Sequence, residues 1–215
     1  MEGKIRMTAF LMKNNALRPY ARPKTPMVYF LVVAVLVVAV LNARADNGGN
    51  YYWYESGVKK TLHMDHELVA EFGPASDEES AVKNAEPSAS RVMIRGGAAI
   101  WRVVSPKSAL KKSAAVNPKA GVSPVFREGG NPGGRIMSLP GNVIVFFKGD
   151  WSEQKVKGWA AAKNLEIADK LNIGKNVYVL KTVPGLESLN LANKLQESGE
   201  VEAAAPDWWR PAQRR

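Results

Sequence analysis

The 215-residue sequence has no cysteine and only two histidines, His63 and His66. Without cysteine there are no disulfides, no thiolate metal sites and no cysteine nucleophile, and any redox compartment is permitted. With two histidines in one short polar stretch, a Ser-His-Asp site has few places to be built. No Gly-x-Ser-x-Gly elbow and no Gly-Lys-Ser/Thr phosphate loop occurs. Gly129-Gly130-Asn131-Pro132-Gly133-Gly134 is glycine-rich. It lacks the flanking strand and helix of a dinucleotide site, so it reads as a linker. Acidic residues scatter over predicted helix faces without the pairing of a glycosidase. No catalytic residue, no cofactor site and no metal site is assigned, and a non-enzymatic role is expected.

Net positive charge is small on the part that should fold. The formal net charge is +10. Residues 1–45 hold seven Lys/Arg against the single acid Glu2, a net of +6, and the remaining 23 basic and 19 acidic residues leave only +4. A nucleic-acid binder concentrates its charge on the folded surface, so no nucleic-acid partner is expected.

The basic segment precedes an uncharged apolar run, Met27–Leu41. As a helix it would span about 22 Å, short of a hydrocarbon core of roughly 30 Å. Ala43-Arg44-Ala45 follows, with small residues at the alternate positions a signal peptidase favours. Residues 1–45 are therefore read as a signal peptide, with cleavage after Ala45, or as an uncleaved membrane anchor. Met1, Met7 or Met12 could be the start. Either reading exports residues 46–215, to the periplasm or beyond, with membrane contact only through 27–41 if the segment is retained.

From Asp46 the pattern is α+β. Residues 46–66 read as an aromatic β-hairpin built on Tyr51-Tyr52-Trp53-Tyr54. Four adjacent aromatics could stack on a sugar or a base, but aromatics are also ordinary strand residues. His63-Met64-Asp65-His66 reads as a solvent-facing turn, a metal pair being the alternative. Residues 67–126 follow as strand, helix, strand, strand, helix, strand. The first helix starts near Ser76 with acids over its first turn, and the second starts at Ser105-Pro106. A Gly/Pro linker spans 127–142. Residues 143–210 repeat the order, from Val143-Ile144-Val145-Phe146-Phe147 to Val201–Trp209, and 211–215 are a tail. The order predicts two tandem ferredoxin-like βαββαβ units behind a signal or hydrophobic helix and a β-hairpin.

The second unit carries a resemblance. Val177-Tyr178-Val179-Leu180, Pro184-Gly185-Leu186-Glu187, Leu191-Ala192-Asn193-Lys194-Leu195 and Val201–Trp209 look like the propeptide of bacterial subtilisin-like serine proteases. That family closes its propeptide with a Val-x-x-Ala-x-Pro-Asn/Asp strand just before the catalytic domain. The aromatic opening also looks like the start of long pro-regions on some members. The resemblance implies a chaperone and inhibitor of a protease. The open sheet face would pack on two surface helices of the catalytic domain, and the C-terminal tail would lie in the substrate cleft like a cleaved product. Carried onto this sequence, the protease-binding residues are Ala203, Ala205, Pro206, Asp207, Trp208, Trp209 and Arg210.

The family's catalytic motifs, Asp-Thr-Gly, His-Gly-Thr and Gly-Thr-Ser-Met-Ala, do not occur. The expected partner is therefore a subtilisin-like protease acted on in trans. Two alternatives stand beside this reading. One is an envelope-associated interaction module with a non-protease partner. The other is the remnant of a truncated protease gene.

Overall fold

The computed structural model describes residues 51–73, 76–131 and 133–212. The expected signal or anchor segment, residues 46–50 and the last three tail residues lie outside the described residues. Among the described residues no helix is long and apolar enough to cross a membrane.

The chain is α+β, with four α-helices and two antiparallel sheets among the described residues. In chain order these are β1 (Tyr51–Glu55), β2 (Val58–Phe72), α1 (Ala81–Ala85), β3 (Ser90–Arg95), β4 (Ala98–Arg102), α2 (Pro106–Val116), β5 (Gly121–Arg127) and β6 (Ile136–Ser138). Then come β7 (Val143–Phe146), α3 (Glu153–Ala162), β8 (Ile167–Leu171), β9 (Val177–Leu180), α4 (Leu186–Ser198) and β10 (Ala203–Pro206). The first sheet runs β3-β4-β2-β5-β6, with β1 paired to the start of β2, and the second runs β10-β7-β9-β8. In each, the closing strand lies beside the opening one, followed by the third and then the second.

Four apolar clusters explain the packing. Val69 and Trp101 face α1 and α2 through Val82 and Ala109. On the opposite face of the same sheet, Leu68, Ala70, Ile100, Val125 and Ile136 form a second layer. Val143, Val145, Tyr178 and Leu180 point at α3 and α4, meeting Val156, Ala192 and Leu195. A junction cluster of Trp53, Leu62, Phe126, Met137, Leu139 and Leu189 joins the hairpin, β5, β6 and α4.

Several expected boundaries change, each for a local reason. The return strand of the hairpin and the Leu68–Phe72 strand are one continuous strand, β2. His63–His66 is thus not a solvent turn but part of an irregularity where the β2–β5 register shifts between Met64 and Val69. There Asp65 Oδ1 accepts from the Glu67 and Leu68 amides at 2.9 and 3.0 Å, replacing lost ladder bonds with a side chain. Helix α1 begins at Ala81, capped by Ser80 rather than Ser76. The buried carboxylate of Glu71 fixes that start, accepting from the Ala81 amide at 2.6 Å and from Ser80 Oγ at 2.5 Å. The Gly/Pro linker of 127–142 contains β6, paired to β5, with Met137 and Leu139 buried. An apolar run, Ile136-Met137-Ser138-Leu139, can bury itself even inside a glycine-rich segment.

The second unit keeps close to its pattern. Ser152 caps α3, accepting from the Lys155 amide. Gly199, at φ 66°, takes the left-handed position that ends α4. Gly141, at φ 103°, begins the approach to β7, and a Cβ there would sit 2.7 Å from the Thr182 carbonyl oxygen.

Candidate protein-binding face and C-terminal tail

The second sheet has both its helices on one side. Side chains alternate across a strand, so the pairings assign the other side directly. Ile144 lies opposite Val179 and Ala205, and Phe146 opposite Val177 and Ala203. Leu171 and Asp169 extend the same face at β8, opposite Val177 and Val179. Val177 is buried, Ile144, Leu171, Val179, Ala203 and Ala205 are half-buried, and Phe146 is 36% exposed. The surface is aliphatic and aromatic at its centre, small along β10, and charged at Asp169. Small residues at 203 and 205 let another backbone approach closely beside Phe146.

The tail takes a different course. Asp207 donates its amide to the Asn142 carbonyl at 3.3 Å. Beyond it, the chain folds back onto the first sheet. Trp208 packs on the junction cluster, edge-on to Trp53 at 5.4 Å and to Phe126 at 6.0 Å between ring centroids. Trp209 covers the helix-free layer of the first sheet, edge-on to Phe72 at 6.3 Å, and its Nε1 donates to the Gly96 carbonyl. Its backbone exchanges two hydrogen bonds with Ser138, both 3.0 Å. The Arg210 guanidinium stands over the Trp53 ring at 5.4 Å, and the Arg95 guanidinium donates to the Ala212 carbonyl.

Burial alone pushes the Asp207 carboxyl above the ordinary aspartate range. It lies where the tail leaves β10.

The seven residues carried over from the resemblance thus separate into two groups. Ala203 and Ala205 lie on the helix-free face of the second sheet. Pro206 ends β10 on the helix side, and Asp207 makes the turn. Trp208, Trp209 and Arg210 pack against the first sheet and its hairpin rather than extending freely. Residues 207–212 of the expected extended tail are therefore folded back in this structure. The signal is a sequence-distant one, and nothing local in Pro206–Ala212 encodes it.

The aromatic strand also has an internal use. Trp53 is buried, Tyr52 and Tyr54 donate to the Glu197 carboxylate of α4 at 2.8 and 3.0 Å, and the Tyr52 carbonyl accepts from Asn193. The hydrogen bond to Glu197, helped by burial and by the carboxylate's charge, raises the Tyr52 hydroxyl above its ordinary pKa. Trp53 is thus committed to the junction and the hydroxyls of Tyr52 and Tyr54 to α4, while the rings of Tyr51, Tyr52 and Tyr54 are half-buried.

His63, Asp65 and His66 line a cavity of about 330 Å³ together with Arg102 and Arg127. Asp65 is tied to Arg127 at 2.7 Å and to two backbone amides. Among the described residues no three His, Asp or Glu side chains converge as metal ligands.

In comparison with known proteins, no family model, no curated protein and no solved structure matches this chain.

Proposed function

We propose that the protein is an exported, non-catalytic binding module that acts as a chaperone or inhibitor of a subtilisin-like serine protease in trans. The two strand orders, β5-β2-β4-β3 and β10-β7-β9-β8, support reading both halves as ferredoxin-like units. The observation that carries the proposal is the helix-free face of the second sheet. Ile144, Phe146, Leu171 and Val179 stand there on a strand framework, with Ala203 and Ala205 beside them. Apolar area of this kind is stabilised when a partner covers it. Two helices of a protease surface fit such a face as two helices already fit the opposite one.

The apolar segment 27–41, with its basic flank and Ala43-Arg44-Ala45, supports export. An interaction module with a non-protease envelope partner is the second reading. The folded-back tail favours it, because a face can bind without a product-like tail.

The experiment is inhibition of a purified subtilisin-like protease by the full chain and its variants. Phe146→Asp is expected to weaken inhibition roughly 30-fold or more, about 2 kcal/mol, as for a central aromatic contact. Val104→Asp, at an 85% exposed position on the first unit, is the control and should leave inhibition unchanged. Equal inhibition by wild type and Phe146→Asp would reject the face.

A further inference from the structure

Polar dissatisfaction is concentrated in the tail. Among the described residues, seven buried side-chain nitrogen or oxygen atoms lack a hydrogen-bond partner, and three of them lie within 208–210. They are Trp208 Nε1, Arg210 Nε and Arg210 Nη2. The Glu128 carboxylate lies 3.9 Å from Arg210 Nη2, within reach of an ion pair but too far for a hydrogen bond. Apolar anchoring is good in the same segment, through both tryptophans. The docked tail is therefore held by rings and opposed by its own polar atoms.

The backbone attachment is also minimal. β6 is the outer strand of the first sheet, and the tail pairs with it at Ser138 and Trp209 alone. In antiparallel register the next pair on that edge is Ile136 with Pro211. Proline has no N–H to donate, so the ladder ends after a single bridge.

We propose that residues 207–212 are an autoinhibitory latch. Docked on the first sheet, they are withheld from a partner. A partner that offers a carboxylate to Arg210 and an acceptor to Trp208 satisfies what the docked state leaves unmet, and draws the tail off. Release also uncovers Phe72, Ile100 and Ile136 on the helix-free layer of the first sheet, so opening creates two binding surfaces together. The latch stands on the tail's own geometry. That the partner is a protease rests on the function proposed above.

The test separates the two. Hydrogen exchange on the full chain reads the Trp209 amide, which is bonded to Ser138, against the amides of β7 and β9. In wild type the Trp209 amide should exchange at least about 100-fold faster than those core amides, because it opens locally rather than globally. Arg210→Met removes two buried atoms without a hydrogen-bond partner, at the cost of the Trp53 ring contact and the long Glu128 ion pair, and should on balance slow it about tenfold. Phe72→Ala and Arg95→Ala loosen the receiving side and should speed it, Arg95→Ala acting only through the bond to Ala212. Trp209 exchange at the core rate in wild type would overturn the latch. Subtilisin is the binding probe. Phe72→Ala and Arg95→Ala should inhibit it more tightly than wild type. Inhibition identical in all three despite fast exchange would overturn the autoinhibitory role. Fast exchange with no inhibition by any variant would keep the latch and reject the protease.

Discussion

Replacing Glu71 by alanine is the most stringent test of how the first unit is held. The carboxylate is 2% exposed, on the helix side of β2, beneath the N-terminus of α1. One oxygen accepts from the Ala81 amide and the other from Ser80 Oγ. Ser80 Oγ in turn accepts from the Lys83 amide at 3.0 Å. Glu71→Ala leaves two buried donors without an acceptor, each costing about 1–3 kcal/mol. It also removes a negative charge from a helix N-terminus, worth about 0.3–1 kcal/mol. The expected loss is about 3–5 kcal/mol, a large share of a typical domain's stability. Glu71→Gln keeps one acceptor with nearly the same shape and should cost only about 1–2 kcal/mol. Urea unfolding followed by tryptophan fluorescence and circular dichroism measures both. A loss under about 1 kcal/mol for the alanine variant would refute the capping account, as would a glutamine variant no better than alanine.

Gly141→Ala should lower stability by about 2 kcal/mol or more, read as a fall in thermal midpoint, because its φ of 103° and the Thr182 carbonyl at 2.7 Å leave no place for a Cβ. The raised Asp207 carboxyl is expected to make tail docking pH-dependent. Its folded-state pKa is raised by burial, so its favourable contribution is complete below the ordinary aspartate range and is lost as pH rises through the raised value. Chymotryptic cleavage after Trp208 and Trp209 should therefore accelerate from acid toward neutral pH in wild type, relative to a reference peptide. Asp207→Asn should lose that dependence, and a variant with the full wild-type pH profile would count against the assignment.

Much of the scaffold was legible because it is encoded locally. Val143-Ile144-Val145-Phe146 alternates between the helix side and the free side. Leu189, Ala192 and Leu195 form the stripe that buries α4. Pro106 at the first turn of α2, Ser152 and Gly199 mark helix ends by chemistry that acts within one turn. Legibility failed where a distant group decides the local outcome. α1 starts at Ala81 because Glu71, ten residues earlier, sits under it. β2 runs through His63–His66 because the Asp65 side chain substitutes for ladder bonds and Arg127 anchors it. β6 is three residues long and surrounded by glycine, too short for periodicity to register. The face residues Ala203 and Ala205 follow from strand alternation once β10 is known. The course of Trp208–Ala212 does not, because its contacts on the first sheet lie more than 65 residues upstream in sequence, as with Ser138 and Gly96.

The hairpin's attachment to α4 sets an order on biosynthesis. Tyr52 and Tyr54 bond to Glu197 across 145 and 143 residues, and Asn193 reaches Tyr52 across 141. The opening strand of the described chain therefore waits for almost its entire length before its tyrosines find their acceptor. Contacts of such separation form late, after local pairings are in place. Residues 143–206 can close their own sheet while the junction is still open, whereas Trp53, Leu62 and Phe126 gain their last cover only when Leu189 and Trp208 arrive. A chain halted before α4 would present that aromatic seam to chaperones and proteases. Docking of β1 onto α4 is therefore among the last contacts open to a growing chain.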